Sequence, residues 1–412
     1  MSEMALSPRW DKPAVFAAVY AVVLLAVSWS IGWDRPCWAD ECHFLRVIND
    51  FASRGPAAVV DYDAGASPLV FLLYAGWGTV FGFDLGSLRC LSLLIALATG
   101  LVFHLLARTV LGSGRESFFL PFLLLLNPYG AGLSFFVYTD MTMILFLLLA
   151  TWAAIRGKAV WLCCTSTGAL LARQYAAFLV AAVFLFTLFR FVRTRDRRFL
   201  SLAIASAVSA LPLAGLMAAW GGIAPPRALV PFDGTSPVAF HARNLTLYIA
   251  LIPVFCFPVI VMRANVFRFG VRTHLFLVAL SLIYFLAPIA PSEAALLYSR
   301  YETVGLFHRF LVSVLRENIA VHAVWFICFL AGLHVLLALG GSVARNVRGT
   351  VDAPDELLLD LAVFSFLVLM AWSYQTWEKY ALPMVPLIGL RVLLFPYRSL
   401  SERRSGEEHV PF

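Results

Sequence analysis

The first residues that could carry chemistry are two adjacent carboxylates, Asp40 and Glu41. One carboxylate raises the pKa of a neighbouring one, which helps it to act as a general base near neutral pH. The apolar residues that follow the pair recur at helical spacing: Phe44, Leu45, Ile48, Phe51 and Ala52. This spacing predicts an amphipathic helix that ends at Gly55-Pro56, so the pair would stand at a helix start.

A purely structural role for the pair fits the same pattern. Asp40 could be the N-cap of the helix, and Glu41 a first-turn acid that offsets the helix dipole. Capping and catalysis need not exclude each other, so both interpretations stay open. The same alternatives apply to Tyr138-Thr139-Asp140, where Thr139 or Asp140 could cap the next helix or Asp140 could form the wall of an active site.

Three basic residues are candidates for anion binding. Arg173 lies between two short apolar runs, where a rigid turn would present its guanidinium for bidentate contact with a phosphate. It could instead snorkel to a membrane surface. Arg300 shares the polar segment 292–317 with Arg309, and Lys379 lies in a short aromatic turn near the end of the chain.

The elements that position these residues must be membrane helices. Hydrophobic residues make up 61% of the 412-residue chain and charged residues 13%, which is far from soluble composition. A soluble core could not bury that much apolar surface, so lipid must surround most of the chain. The net charge of +7 comes from short basic clusters between apolar runs. Such clusters are typical of topology signals and exclude a nucleic-acid-binding domain.

Twelve apolar runs are predicted to span the membrane as helices of one all-α transmembrane domain covering residues 1–412. In this prediction, residues 34–87 form the first outer loop and residues 396–412 a cytoplasmic tail. The predicted spans are 13–33, 88–107, 117–137, 141–155, 159–172, 175–191, 199–220, 245–262, 274–291, 318–340, 356–373 and 380–395.

Two ambiguous stretches decide the topology together. Residues 68–83 either span or lie along the surface, and residues 159–190 either cross once or form a helical hairpin that turns at Arg173-Gln174. Thirty-two helical residues would extend about 48 Å, well beyond a hydrocarbon core of about 30 Å. The surface segment and the hairpin together place twenty of the 31 basic residues in the cytoplasm, as the positive-inside rule requires.

This topology predicts an integral plasma-membrane protein with both termini in the cytoplasm and the acidic loop outside. The strong preference for Arg over Lys, of which there are only three, is typical of a GC-rich bacterial genome. The seven cysteines form no metal motif. Cys37 and Cys42 could form a disulfide if their loop faces an oxidising compartment.

The order of these motifs resembles that of the GT-C superfamily of integral-membrane glycosyltransferases. In that superfamily an acidic pair in the first outer loop precedes interfacial helices, and a basic hairpin apex and a late aromatic-basic turn follow. The motifs that match here are Asp40-Glu41, Ser67-Pro68-Leu69, Phe81-Gly82, Leu88-Arg89, Tyr138-Thr139-Asp140, Leu171-Ala172-Arg173-Gln174 and Trp377-Glu378-Lys379-Tyr380-Ala381-Leu382-Pro383.

Within the superfamily the chain resembles three groups. Tyr138-Thr139-Asp140 and Arg173-Gln174 are similar to motifs of the α-1,2-glucosyltransferases that use dolichyl-phosphate glucose, and the overall layout resembles the protein O-mannosyltransferases and the aminoarabinose lipid A transferases equally. The His-Pro-Pro motif that commonly precedes the interfacial segment is replaced by Ala66-Ser67-Pro68. The resemblance therefore does not select the sugar.

The resemblance implies transfer of a sugar from a polyprenyl-phosphate donor to an acceptor on the outer face, with inversion at the anomeric carbon. The general base would be Asp40, and the catalytic residues implied as a set are Asp40, Glu41 and Asp140. The implied ligands of the donor phosphate are Arg173, Arg300 and Lys379. The implied contacts to the acceptor or the sugar are Asp61, Asp63, Tyr138 and Glu378.

The expected partners are the lipid bilayer, the polyprenyl-phosphate sugar and an acceptor of unknown identity, without nucleic acid. No cofactor is required, although Asp40 and Glu41 could hold a divalent metal between carboxylate and phosphate. The main alternative is a twelve-span transporter or flippase of a lipid-linked or anionic substrate. Such a protein would carry charges in mid-helix and related halves, and neither is evident in the sequence. A non-catalytic lipid-binding protein is a further alternative.

Overall fold

The computed structural model of the chain describes residues 12–229, 239–291, 296, 302–316, 318–373 and 376–395, and every regular element in these ranges is a helix. The first ten α-helices among them are α1 Pro13–Ile31, α2 Asp40–Arg54, α3 Leu69–Phe81, α4 Leu85–Leu111, α5 Arg115–Phe119, α6 Phe122–Leu126, α7 Pro128–Phe135, α8 Asp140–Ile155, α9 Ala159–Ala172 and α10 Ala177–Thr194.

The later α-helices of the described ranges are α11 Arg197–Ser209, α12 Leu211–Trp220, α13 Pro226–Leu229, α14 Ala242–Phe255, α15 Phe257–Met262, α16 Val271–Ser281, α17 Leu306–Leu315, α18 Ile319–Arg348, α19 Pro354–Met370 and α20 Met384–Leu393. Short 3₁₀ helices lie at Gly55–Val60, Gln174–Ala176, Ala264–Phe267, Leu282–Leu286 and Glu378–Ala381. The expected all-α class is confirmed.

Five helices in the described part of the chain are long and apolar enough to cross a membrane: Pro13–Ile31, Leu85–Leu111, Gln174–Thr194, Arg197–Trp220 and Ile319–Arg348. The pair α7 and α8, which meets at an angle of 105°, adds a sixth if it is one broken span. Shorter apolar helices make up the rest of the bundle. Proline accounts for some of the breaks, since Pro121 and Pro128 divide the span predicted at 117–137 into α5, α6 and α7.

The first loop folds into the predicted amphipathic helix and a second short helix. α2 starts at Asp40 and ends at Gly55, whose φ of +59° suits a residue without a side chain. Its buried face includes Val47 and excludes Ala52, because α2 packs along α3 and is rotated slightly from the predicted stripe. α3 has 13 residues and a length of about 20 Å, too short to cross a membrane alone.

The predicted hairpin is present, and its turn is at Arg173. α9 ends at Ala172 and the chain resumes as a 3₁₀ helix that leads into α10. The ends of α9 and α10 remote from the turn lie together, because the side chain of Arg198, just after α10, packs against Gly157, just before α9. Arg173 is therefore held at one end of the bundle.

Ion pairs mark the two ends of the bundle. One end, here called the site end, carries three pairs between distant parts of the chain: Arg89–Glu41, Arg173–Asp140 and Lys379–Asp40. The opposite end carries the pairs Arg190–Asp352 and Arg263–Glu116. The long helices α4, α8 and α18 run between these ends.

Arg391 is one of the twenty basic residues that the sequence predicts to be cytoplasmic, but in the structure it lies inside the helix bundle. It is fully buried, and its Nε donates to Asp360 Oδ1 at 2.7 Å while its Nη2 lies 2.9 Å from Glu356 Oε2. Asp360 lies in α19, inside the apolar run predicted at 356–373. The expectation that no charge lies in mid-helix is therefore wrong for Asp360 and Arg391. The sequence does not reveal that they pair, because the two residues are on different helices.

Candidate active site

A cavity of about 500 Å³ lies at the site end of the bundle. Its walls come from α2, the α7–α8 connection, the hairpin turn, α17 and the turn before α20. The predicted site residues that line it are Asp40, Tyr138, Arg173 and Lys379. Those that the structure describes outside its lining are Glu41, Asp61, Asp63, Asp140 and Glu378. Arg300 lies outside the described residues.

Asp40 forms an ion pair with Lys379 inside the cavity. Lys379 Nζ donates to Asp40 Oδ2 at 2.6 Å, and the two side chains are 12% and 48% exposed. Asp40 is the first helical residue of α2, and its side chain makes no capping hydrogen bond, so the N-cap interpretation is wrong. The residue before it, Ala39, has an uncommon φ of +52°. A disulfide between Cys37 and Cys42 encloses this segment.

Lys379 keeps Asp40 ionised. Its positive charge lowers the pKa of Asp40 below the ordinary carboxyl value despite the opposing effect of burial, and Arg173 adds to the lowering. Burial also acts to lower the pKa of Lys379, but the charge of Asp40 outweighs it and the pKa is raised. The expectation that Glu41 raises the pKa of Asp40 is wrong, because the charge of Glu41 is neutralised by Arg89.

Glu41 is an anchor for the start of α2. It is fully buried and accepts hydrogen bonds from Arg89 Nε at 3.2 Å and Nη2 at 2.8 Å. It also accepts from the backbone N–H groups of Val137 at 3.0 Å and Trp38 at 3.1 Å. Arg89 donates in turn to two backbone carbonyls of the segment after α1. This network ties α2 to α4 and to the α7–α8 connection, and it leaves Glu41 no free oxygen for a substrate.

Arg173 is fixed by the acid predicted at the start of α8. Its Nη2 donates to Asp140 Oδ2 at 3.0 Å, and Tyr175 donates its hydroxyl to Asp140 Oδ1 at 2.8 Å. Asp140 is fully buried, and neither it nor Thr139 caps α8 with its side chain, so both capping interpretations are wrong. Arg173 is only 8% exposed, which contradicts snorkelling. Its Nε is buried and has no hydrogen-bond partner among the described residues, while the side chain as a whole lines the cavity.

Tyr138 forms the wall between the two ion pairs. Its ring packs against Phe44, and Lys379 Nζ lies 5.4 Å from the ring centroid. Burial, and then the charge of Asp40, raise the pKa of the Tyr138 hydroxyl, so it stays neutral. A neutral hydroxyl at this wall can donate a hydrogen bond into the cavity.

Asp61 and Asp63 lie at the surface of the first loop. Asp61 Oδ2 is 3.1 Å from Arg227 Nε in an exposed pair. Asp63 Oδ2 is 3.9 Å from His43 Nδ1 and its side chain is 59% exposed. His43 lines the cavity, so Asp63 is separated from it by one side chain. Their contact with an acceptor or a sugar stays a prediction.

Glu378 binds the protein itself. It is fully buried; its Oε1 accepts from the His308 N–H at 2.8 Å, and its Oε2 accepts from the Phe307 N–H at 2.8 Å and from the Tyr129 hydroxyl at 3.0 Å. Both oxygens are thus occupied by donors of the chain. The predicted contact of Glu378 with a substrate is not available in this arrangement.

Arg309 is a third cation of the cavity. The sequence places it in the polar segment 292–317 but does not predict it as a phosphate ligand. It is exposed on α17 and lines the cavity without an ion pair to any described residue. Carboxylates pair with Arg173 and Lys379, so Arg309 is the cation of the cavity lining that has no ion pair among the described residues, although it interacts electrostatically with the buried Glu378. The helical spacing of the apolar residues could have indicated it, since Leu306, Phe307 and Phe310 form an apolar face on either side of Arg309.

An apolar groove of about 400 Å³ adjoins the cavity. The two spaces share Pro128, Tyr129 and Leu306 as walls. Leu126 and Phe310, both well exposed, lie along the groove, so it reaches the apolar surface of the bundle. A cationic cavity joined to an apolar groove fits a lipid with an anionic head.

The two carboxylates of the acidic pair have different partners in this arrangement, and a metal between them stays untested. Asp40 is bound to Lys379 and Glu41 to Arg89, so the two carboxylates serve different partners. Within the described ranges, no three His, Cys, Asp or Glu side chains converge as ligands.

No family model and no curated protein matches the chain. Two solved structures are similar to it. ArnT from Cupriavidus metallidurans in the apo state has 15% identity over 92% of this chain and 76% of that chain, with a TM-score of 0.46. The same protein bound to undecaprenyl phosphate has 17% identity over 94% and 77%, with a TM-score of 0.43. Likeness at this level assigns no residue, ligand or activity to this chain.

Proposed function

We propose that the protein transfers a sugar from a polyprenyl-phosphate donor to an acceptor hydroxyl. One observation carries the proposal: Asp40, a half-exposed carboxylate, shares a cavity with Lys379, Arg173 and Arg309, and this cavity shares three wall residues with an apolar groove. The reaction needs a base, cations for a phosphate and a place for a lipid chain, and the site provides all three. The motif resemblance to the GT-C superfamily supports the same reaction.

The donor would bind with its phosphate in the cavity and its isoprenoid chain in the groove. A phosphodiester carries one negative charge, which matches the unpaired charge of Arg309. Arg173 also lines the cavity, so its guanidinium lies beside the phosphate. Tyr129 and Leu306, which are walls of both spaces, would lie where the head of the lipid meets its tail.

Transfer would proceed by direct displacement at the anomeric carbon. Asp40 removes the proton of the acceptor hydroxyl while the acceptor oxygen forms a bond to that carbon. The bond from carbon to the phosphate oxygen breaks, and its electron pair leaves with the polyprenyl phosphate, which gains one negative charge. Attack opposite the phosphate inverts the anomeric centre. The cations stabilise the charge that develops on the leaving group.

Donor binding would also activate the base. Lys379 pairs with Asp40 in the present arrangement and holds the pKa of Asp40 low. A phosphate in the cavity competes for Lys379, and the weakened pairing lets the pKa of Asp40 rise. A carboxylate with a higher pKa is a stronger base. Asp40 would therefore accept a proton best when the donor is in place.

No metal is part of the proposal, because Asp40 pairs with Lys379 and Glu41 with Arg89, so each carboxylate of the acidic pair already has a cation. Chelation of divalent ions should leave the transfer rate unchanged. A rate that falls with EDTA and returns with a divalent ion would contradict this part of the proposal.

We place the site end on the outer face of the plasma membrane, with twelve crossings and both termini in the cytoplasm. The Cys37–Cys42 disulfide at the site end is typical of an oxidising compartment. The arginines at the opposite end follow the positive-inside rule. Membrane-impermeant maleimide applied to intact cells should label Asp63→Cys and leave Asp352→Cys unlabelled. The reverse pattern would contradict the orientation.

A transporter or flippase is the second candidate, and the buried Asp360–Arg391 pair favours it. The two charges neutralise each other, and neither residue lines the cavity or the groove. Transport of this kind would leave the donor intact, whereas transfer breaks the sugar–phosphate bond.

The test is single-turnover cleavage of labelled polyprenyl-phosphate sugars by the purified protein in detergent, where no gradient exists. We expect polyprenyl phosphate and a glycosylated product to form in equal amounts from one sugar class, which the glycolipids of a deletion strain would identify. Arg309→Ala should raise the donor KM, and Arg316→Ala, at the end of the same helix, should not. Uptake of intact donor by vesicles without any cleavage would support the transporter instead.

A further inference from the structure

We infer that Glu378 is a positioning residue that directs Arg309 into the cavity by holding the N-terminus of α17. The inference rests on the proposed function, because it takes Arg309 to be a ligand of the donor phosphate. Glu378 does not line the cavity, so it would act on the donor through Arg309, whose direction it sets through α17 and on whose charge its own carboxylate acts directly.

α17 has no cap from its own sequence. The residue at its N-cap position, Gly305, has no side chain, and a helix leaves its first N–H groups unpaired. Glu378 supplies the missing acceptors, since its two oxygens receive the N–H groups of Phe307 and His308 at 2.8 Å each. A carboxylate at this position also interacts favourably with the positive end of the helix dipole.

Tyr129 completes this cap from a third part of the chain. Its hydroxyl accepts the N–H of Leu306 at 2.5 Å and donates to Glu378 Oε2 at 3.0 Å. A side chain at Gly305 would collide with both the tyrosine hydroxyl and the Glu378 carboxylate. The N-terminus of α17 is therefore seated against α7 and the 3₁₀ helix Glu378–Ala381.

These contacts at the N-terminus of α17 set the direction of Arg309 relative to the base. Arg309 follows His308, so it lies in the first turn of α17, and its direction depends on how that turn is held. In the 3₁₀ helix Glu378–Ala381, Lys379 follows Glu378 and binds Asp40. The backbone N–H of Glu378 also donates to the Val304 carbonyl at 2.9 Å, just before α17. Glu378 thus links the helix that carries one cation to the turn that carries another.

The test is a double-mutant cycle between Glu378→Gln and Arg309→Ala, measured as the donor KM and kcat. Gln keeps the shape of Glu378 but offers one acceptor oxygen where two N–H groups need one each. If Glu378 acts through Arg309, Glu378→Gln should raise the donor KM by about tenfold with Arg309 present and by less than about twofold in the Arg309→Ala background, with a smaller change in kcat. Glu302→Gln, the same change at an exposed acid before α17, is the control and should leave both constants unchanged.

The outcomes separate this inference from the proposed function. If Arg309→Ala alone leaves the donor KM unchanged, the phosphate assignment and the function built on it fail. If Arg309→Ala raises the KM and Glu378→Gln has the same effect in both backgrounds, the positioning role fails while the function stands. Tyr129→Phe removes only the hydroxyl and takes the place of Glu378→Gln in the cycle if that variant does not fold.

Discussion

Lys379 Nζ and Asp40 Oδ2 lie 2.6 Å apart, although 339 residues separate them in the chain. The contact joins the first helix of the first loop to the turn before α20. It couples the proposed base to a proposed phosphate ligand, so that each controls the charge environment of the other. An anion that binds Lys379 acts on Asp40 as well.

Replacement of Lys379 should therefore change the pH dependence of transfer. Lys379 lowers the pKa of Asp40 more than any other group while burial raises it, so in Lys379→Met only the smaller lowering effects of Arg173 and His43 oppose burial. The acid limb of kcat/KM, which reports the base of the free enzyme, should move to higher pH. Lys158→Met, at an exposed residue of the opposite end, is the control. An unmoved acid limb in Lys379→Met would separate Asp40 from the titration.

Arg173 should matter both for donor binding and for stability. Arg173→Lys keeps the charge beside Asp140 but loses the planar fork of the guanidinium. It should raise the donor KM and remain folded. Arg173→Ala leaves Asp140 without a cation in a buried site, which typically costs about 3–5 kcal/mol. Donor KM and thermal unfolding in detergent measure the two effects. A wild-type donor KM for Arg173→Lys would remove Arg173 from the phosphate site.

Replacement of Glu41 should lower the stability of the protein more than it affects the transfer step directly. Glu41→Gln removes one charge of a fully buried pair and should lower the free energy of unfolding by about 3–5 kcal/mol. Replacing both partners, as in Glu41→Gln with Arg89→Met, should restore part of that loss because no buried charge is left unpaired. Denaturant unfolding in detergent compares the variants. A stable Glu41→Gln variant with no transfer activity would instead indicate a direct catalytic role.

Features that depend on local pattern could be predicted from the sequence. The spacing of apolar residues predicts α2, and the sharp end of α2 follows from Gly55. The excess length of residues 159–190 over a bilayer predicts the hairpin and places Arg173 at its turn. The position of these features relative to the ends of the bundle follows from helix length alone.

The choice of partners could not be predicted, because charged side chains from distant segments meet only in the folded chain. Asp40, Glu41 and Asp140 all looked equally available to a substrate in the sequence. In the structure Arg89 is buried against Glu41 and Arg173 against Asp140, which leaves only Asp40 at the cavity. An arginine at the start of an apolar span, such as Arg89, indicates that it forms an ion pair with a buried acid.

The measurement that tests the central claim most directly is single-turnover transfer by Asp40→Asn, compared with Asp50→Asn and the wild-type protein. Asp50 belongs to the same helix but pairs with Arg54 and does not line the cavity, so it controls for loss of an acid there. Loss of a general base lowers the rate by about 10²–10⁴-fold. We expect Asp40→Asn to show a loss in this range with donor binding no weaker, because Lys379 is then free for the phosphate, and Asp50→Asn to react normally. Transfer by Asp40→Asn at a rate close to that of the wild-type protein would contradict the account.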